Sequence, residues 1–426
     1  MTQRYDTYKD SGVQWLGEIP GHWGCVALSK VSDIILGKML QSETKKDTDM
    51  LVPYICAKDV HFDGIDMSNL KTMYFSQSEM DMYEVRKGDM LIVEGGAGAG
   101  NCSILRNNVK NIGIQNSIMI VRSNADVINS YICYFMSSIV RRGYVDFITN
   151  IATIPHFTKE KVSRTYIPLP LLSEQRSIVS FLDAKCGKID EWVTKKQKEV
   201  EHLQELKQRV IADAVTRGLN PHVKMKATNI PWLKEIPEHW EMSKISSHFR
   251  QRNEKVSDKD YPALSVSKQG VTPQLDNVAL SNAEGASRKL VKVGDYAVNS
   301  RSDRKGSCGV SKYEGSVSLI TIVLEPFNLN GEYVHYLFRS NPWVEEFYRN
   351  GRGIVADLWT TNYQMMKSMY MPVPPLSEQR SIVSYLDAKT SKIDKLIANI
   401  TKEIERIKEY KQRLISDVVT GQIKVC

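Results

Sequence analysis

LSEQRSIVS, from Leu172 to Ser180, recurs without a change at Leu376 to Ser384. Each copy follows a proline-flanked stretch, YIPLP from Tyr166 and YMPVPP from Tyr370, and each opens a long segment of helical periodicity. Proline ends the structure before it and presets the backbone for a helix start. Ser173 and Ser377 fall where an N-cap is expected, with Gln175–Arg176 and Gln379–Arg380 in the first turn.

Downstream of each copy, one slot in every 3 or 4 residues is apolar. In the central segment these slots hold Ile189, Val193, Val200, Leu203 and Val210, with Lys196, Lys207 and Ala214 in the rest. In the C-terminal segment they hold Ile393, Ile397, Ile400, Ile404, Ile407, Leu414 and Val418, with Lys411 as the exception. That is a coiled-coil seam of about four heptads, roughly 40–45 Å long at the rise of an α-helix. Lys and Glu alternate on the flanks, as on an exposed coiled-coil face. Two such helices in one chain pair most simply with each other. Gly218 and Gly421 follow them and suit helix C-caps.

Working outward, WLGEIPGHW (Trp15 to Trp23) returns as WLKEIPEHW (Trp232 to Trp240), so the whole chain is a repeat. Tryptophans at both ends and a central Ile-Pro predict an extended clamp that closes each domain. Between clamp and helix lies a mixed region in each half. In the first, LVPYICAKDV (Leu51 to Val60), DMLIVEG (Asp89 to Gly95) and GIQNSIMIVRS (Gly113 to Ser123) read as strands. VINSYICYFMSSIV (Val127 to Val140) reads as a helix, with Ile128, Ile132, Phe135, Met136 and Ile139 on one side. In the second half YPALSV, VGDYAVNS, SLITIVLEP and EYVHYLFRS follow in the same order from Tyr261, Val293, Ser318 and Glu332. Elsewhere the halves diverge, and the distance from the HW pair to LSEQR is 149 residues in one and 136 in the other. The scaffold is shared and the surface is not.

The expected fold is therefore α+β: two pseudo-repeated globular α+β domains separated by two long helices that pair as an antiparallel coiled coil. The expected boundaries are 1–167 for the first domain, 168–217 for the central helix, 218–371 for the second domain and 372–426 for the C-terminal helix.

Composition bounds the function. The 426 residues carry a net charge of +8, which favours an anionic partner. The excess is thinly spread: residues 24–167 hold 16 Lys/Arg against 15 Asp/Glu, and residues 241–371 hold 17 against 14. Any basic patch must be made by folding. The 7 cysteines form no CxxC pair and read as reduced thiols of a cytosolic protein. The polar start MTQRYDTYKD argues against a signal peptide, and no apolar run is long enough to span a bilayer.

Several motifs resemble chemistry without supporting it. GGAGAGNCS (Gly95 to Ser103) has phosphate-loop spacing, but Asn101 stands where lysine is needed and no helix follows, so a hairpin loop is expected. Asp183-Ala-Lys185 and Asp387-Ala-Lys389 lie in the helical repeat and read as solvated helix positions rather than a nuclease centre. Asn341-Pro342-Trp343 lacks the second proline and the glycine motif of an amino-methyltransferase. No histidine falls in a metal or triad pattern. No catalytic or metal residue is expected.

The candidates for contact with DNA are polar and basic loop residues, the types that read base edges and bind phosphates. In the first domain these are Asn101, Gln115, Asn116, Thr149, Asn150, Thr153 and His156. In the second they are Lys268, Gln269, Arg301, Arg304, Lys305, Arg352, Thr360 and Asn362.

Two divergent domains, each opened by WL-x-EIP-x-HW, alternate with two near-identical helices opened by LSEQR-x-IV-x-[FY]-LDAK. This arrangement resembles, over essentially the whole chain, the specificity subunit of type I restriction–modification enzymes. The resemblance implies two target recognition domains, each reading half of a bipartite target on double-stranded DNA. It implies that the conserved helices set the gap and dock two modification (methyltransferase) subunits and, through them, restriction (endonuclease and translocase) subunits. The chain itself would be non-catalytic and cytoplasmic, part of a host-defence methyltransferase/endonuclease complex. S-adenosylmethionine, ATP and Mg²⁺ would sit on the partners. A rod of about 40 Å also suits half-sites one DNA turn apart, ~34–36 Å. Two other classes compete: a self-contained DNA methyltransferase or nuclease, against which the missing motifs count, and a coiled-coil scaffold that binds no DNA, against which the divergent loops count.

Overall fold

The computed structural model describes residues 3–148, 155–274, 288–353 and 359–425. It divides into two compact units, Met1–Lys195 with Lys402–Cys426, and Lys196–Thr401. Each holds one globular domain and one half of each long helix.

In the first unit the core is an antiparallel sheet in the order Cys102–Ile104, Met90–Val93, Ile118–Ser123, Ser32–Leu36. Its central strands are apolar over Met90–Val93 and from Ile118 to Val121 because both faces are covered there. Alternate side chains point to opposite faces. Met90, Ile92, Met119 and Val121 enter the core shared with the long helices. Leu91, Val93, Ile118 and Ile120 enter a smaller core beside Ile55 and Ile114. Those two residues belong to a three-stranded sheet in which Met50–Ile55 pairs parallel with Gly113–Ile114 and antiparallel with Lys71–Phe75. GIQNSIMIVRS is thus two strands in two sheets, broken by a turn at Asn116–Ser117. Helix Asn129–Arg141 covers the outer face with Tyr131, Ile132, Phe135, Met136 and Ile139.

The second unit repeats the plan. Its sheet runs Phe249–Arg252, Thr321–Pro326, Tyr296–Asn299, Cys308–Val310. Tyr296, Val298, Ile322 and Leu324 face the main core, and Ala297 and Val323 face the smaller one. The two sheets match strand for strand. Around them the copies differ: Leu264–Ser267, in YPALSV, forms a hairpin with Gly270–Pro273, whereas its counterpart Met50–Ile55 sits between two other strands.

The clamps are extended, as expected. Glu18–Pro20 pairs with Tyr8–Asp10, and Leu233–Pro237 pairs with Met225–Ile230. Trp23 and Trp240 are fully buried. The strand after each clamp pairs with the strand before each long helix, Gly24–Ala27 with Tyr166–Leu169 and Glu241–Lys244 with Tyr370–Val373. The start and finish of each domain are thereby tied at the helix.

The long helices run Leu172–Arg217 and Leu376–Val419. Ser173 and Ser377 are inside the first turn rather than at the N-cap, and the next two side chains brace the domain instead. Glu174 accepts from His22 at 3.1 Å, and Glu378 meets His239 at 2.7 Å. Gln175 accepts from the Ile128 amide and Gln379 from the Asn330 amide, both at 2.9 Å. LSEQR is constant because it is the joint between clamp, domain and helix. Asp183 and Asp387, expected as solvated positions, each accept a 2.7 Å bond from a domain tyrosine, Tyr134 and Tyr336.

Within each unit the helices run antiparallel. In the first, the buried Tyr131 hydroxyl lies 3.0 Å from the Pro168 carbonyl, just before one helix, and 3.2 Å from the Val419 carbonyl, at the end of the other. In the second, the Tyr333 hydroxyl lies 3.2 Å from both Pro372 and Val215 carbonyls. The lysines that interrupt the seam are neutralised across it: Lys411 donates to Asp190 at 2.6 and 2.7 Å, and Lys207 to Asp394 at 2.7 Å. Lys196 pairs with Glu199 at 2.7 Å on its own helix. Val193, Ile393, Ile400, Ile404, Leu414 and Val418 are buried, while Ile189, Val200, Leu203, Val210, Ile397 and Ile407 are half-buried. Gly218 and Gly421 close the helices with φ of 77° and 75°. A side chain at Gly421 would strike Pro20, and one at Gly218 would crowd Trp240, so each clamp also cages a helix end. Among the described residues no helix is long and apolar enough to cross a membrane.

Candidate nucleic-acid interface

Each four-stranded sheet has two unlike ends. In the first unit the strand Ile118–Ser123 runs towards Asp126 and Ile128, where Gln175 grips the backbone at 3.1 and 2.9 Å. That end is fixed to the helix. The opposite end gathers the loops: Gly37–Lys38 after one strand, Glu94–Asn101 after the next, and Gln115–Ser117 before the third. Backbone bonds knit them together, from Asn116 to Lys38 at 2.8 Å and from Glu94 to Ser117 at 2.9 Å. His156 is brought there by an antiparallel bridge to Gly95. GGAGAGNCS is a hairpin between Met90–Val93 and Cys102–Ile104, with no helix at its end.

Asn101, Gln115, Asn116 and His156 are therefore neighbours on one surface. Gln115 and Asn116 bond each other at 2.9 Å, and Ser117 bonds Gln115. The half-buried Glu94 lies among them. Burial pushes its carboxyl above the usual range, and His156 beside it draws it back. Sequence reading missed Glu94 because a glutamate after an apolar strand carries no signal until His156 arrives from a distant segment. Lys38 is also at this end, but it is buried and spent on the Tyr74 carbonyl and Glu79. Thr149, Asn150 and Thr153 lie outside the described residues.

In the second unit the strand Thr321–Pro326 runs towards Asn330, which Gln379 holds. The free end carries Arg301, Arg304 and Lys305. Thr360 joins them through bridges to both Arg301 and Arg352. The charges have local partners: Arg301 and Arg304 share Asp303 at 3.2 and 3.5 Å, and Lys305 meets Glu345 at 3.1 Å. Exposed pairs of this kind are worth about 0–1 kcal/mol, so a phosphate can replace the carboxylate at little cost. Asn362 is exposed, but its side chain caps the turn Tyr363–Met366 at 3.1 Å. Lys268 and Gln269 are exposed at the tip of the hairpin Leu264–Pro273, which Arg339 fastens by a bond to the Lys268 carbonyl.

Chemically these ends offer amide and hydroxyl groups in one unit and guanidinium and ammonium groups in the other. No cluster of metal-binding side chains occurs among the described residues. Among the described residues six cysteines are free, Cys102, Cys186 and Cys308 buried and Cys25, Cys56 and Cys133 half-buried.

Known proteins place this architecture. The family model for the type I restriction modification DNA specificity domain matches residues 20–202. The chain is 23% identical over 431 residues to the putative type I restriction enzyme MjaX specificity subunit of Methanocaldococcus jannaschii, covering 96% of each. It is 22% identical over 445 residues to the type I restriction enzyme EcoBI specificity subunit of Escherichia coli, covering 97% of this chain and 89% of that one. Among solved structures, a chain from work on complex assembly and conformational transition of the type I R-M system aligns with a TM-score of 0.71 at 16% identity, over 95% of this chain and 99% of that one. The HsdS subunit of Thermoanaerobacter tengcongensis aligns with a TM-score of 0.50 at 16% identity, over 95% and 98%.

Proposed function

We propose that the chain is a specificity subunit of the type I restriction–modification family, which it resembles in its family model match, its relatives and its fold, and that it reads a bipartite sequence on double-stranded DNA, one half-site per domain. The domains, residues 1–167 and 218–371, present the loop ends of their sheets to the DNA. Residues 168–217 and 372–426 form the paired helices that set the gap and dock two modification subunits. Restriction subunits join through those. Methyl transfer and cleavage belong to the partners, with S-adenosylmethionine, ATP and Mg²⁺ bound there, and the assembly works in the cytoplasm.

One observation carries this reading. The two halves share their joints bond for bond, at His22 and His239, Gln175 and Gln379, Tyr131 and Tyr333. At the free sheet ends they share almost nothing: Gln115–Asn116 and His156 in one, Arg301, Arg304 and Lys305 in the other. A scaffold kept constant while one surface varies is what two readers of different sequences require.

The test is reconstitution with the modification subunits, followed by DNA binding at several salt concentrations. Expected is sequence-selective binding that weakens with salt, since displaced counterions accompany phosphate contacts. Methyl transfer by the purified chain alone, or binding without sequence preference, overturns the proposal.

A further inference from the structure

The turn that enters Ile118–Ser123 in the first sheet and Thr321–Pro326 in the second is closed in the same way in both units and differs in chemistry. In the first it is closed by the Ile118 amide on the Gln115 carbonyl at 3.0 Å, and in the second by the Thr321 amide on the Ser318 carbonyl at 2.9 Å. The first turn carries Asn116–Ser117, ordinary turn residues whose side chains bond locally. The second carries Leu319–Ile320, each 44% exposed. Two large apolar side chains at the centre of an exposed turn contradict turn chemistry, and the first unit shows that the scaffold does not need them.

The Leu319–Ile320 turn is rigidly held. Ser300 donates its hydroxyl to the Ile320 carbonyl at 2.7 Å, and the Lys289 ammonium donates to the Thr321 carbonyl at 2.8 Å. Its neighbour through Ser300 is Arg301, with Arg304 and Lys305 on the same loop. An apolar facet beside an arginine suits the edge of a DNA groove, where phosphates flank the bases. In the major groove, the apolar feature on a base edge is the 5-methyl group of thymine.

We propose that Leu319 and Ile320 read the 5-methyl group of a thymine in the half-site of the second domain by direct apolar contact. This rests on the DNA-recognition reading above. More than half of each side chain is packed on the domain, so the turn offers a short facet rather than a free wedge to drive between base pairs. The first domain has its own apolar pair beside the equivalent turn, Met39 and Leu40, exposed by 75% and 60%. They follow Lys38, which bridges Gln115.

The experiment uses the full chain in complex with its modification subunits, on the target located by mapping methylated bases. Each thymine of the target is replaced in turn by deoxyuridine, which lacks only the methyl group. Burial of one methyl is worth ~0.8 kcal/mol, about fourfold in Kd. Wild type is expected to lose about that factor at one thymine of one half-site. Leu319→Asn with Ile320→Ser, which copies the turn of the first domain and so keeps the fold, is expected to bind more weakly and to ignore that substitution. Leu319→Met with Ile320→Val is expected to keep the sensitivity. A half-site without thymine, deoxyuridine tolerated at every position, or a polar variant that remains sensitive each overturns the proposal. So does unstacking reported by 2-aminopurine at a step that ignores deoxyuridine, which indicates a wedge. Loss of all selective binding in wild type instead overturns the recognition reading, and is distinguishable because no target is then found.

Discussion

Removing one oxygen atom, by Tyr333→Phe, tests whether the domain holds the end of the helix. The hydroxyl lies 3.2 Å from the Val215 carbonyl, which belongs to the last turn of the helix ending at Arg217. Carbonyls in a last turn have no amide one turn ahead to bond. Val215 is fully buried, so water cannot take over. The loss is one net hydrogen bond plus an unsatisfied buried carbonyl, together about 2 kcal/mol. For a unit of this size that corresponds to about 4–8 °C in its unfolding transition. Differential scanning calorimetry and urea unfolding read it directly. Tyr131→Phe, which frees the Val419 carbonyl, should cost the same. The control is Tyr336→Phe, whose acceptor Asp387 is solvent-exposed; it should cost about 0.5 kcal/mol. If Tyr333→Phe cost no more than the control, the hydroxyl would not be a helix cap and the argument would fail.

Three further outcomes are expected. Ile400 is 7% exposed, and Ile400→Asp should cost at least about 3 kcal/mol by burying a carboxylate in the seam; a monodisperse, fully active complex with this change refutes the seam. Lys207 and Asp394 should show a coupling of about 0.3–1 kcal/mol in a double-mutant cycle, with Lys207→Glu rescued by Asp394→Lys; additivity of the two changes would mean that the bond contributes nothing. Burial, then the charges of Arg339 and Lys312, lower the His335 pKa from 6.5 to about 4. Between those values the unfolded chain binds a proton that the native state refuses, so stability should fall as pH drops from about 6.5 to about 4, by about 3 kcal/mol at most. His335→Gln should flatten that slope, and equal urea midpoints against pH for variant and wild type would contradict it.

The fold was legible where the signal is periodic or repeated. Heptads at Ile393 to Val418 declare a helix by spacing alone, and the second copy of each motif turns a local pattern into an architecture. What stayed hidden depends on partners far away in sequence. Lys207 and Lys411 look like flaws in a seam until the antiparallel arrangement sets Asp394 and Asp190 opposite them. Glu174 and Gln175 resemble a plain first turn until His22 and Ile128 arrive. At the free sheet ends the residue types were readable but their duties were not. Asn362 is occupied as a cap, Gln115 and Asn116 are bonded to each other, and Glu94 and the Leu319–Ile320 turn have no one-dimensional signature. A search for polar loop residues passes over an apolar pair by construction.

The central claim is that each domain reads its own half-site on a common frame. The most direct test is to exchange residues 24–167 for those of a similar type I specificity subunit and map methylated bases in a host carrying the reconstituted complex. The account predicts that one half-site changes while the other half-site and the gap between them remain. A change in both half-sites, or a target that is continuous rather than split, would contradict it.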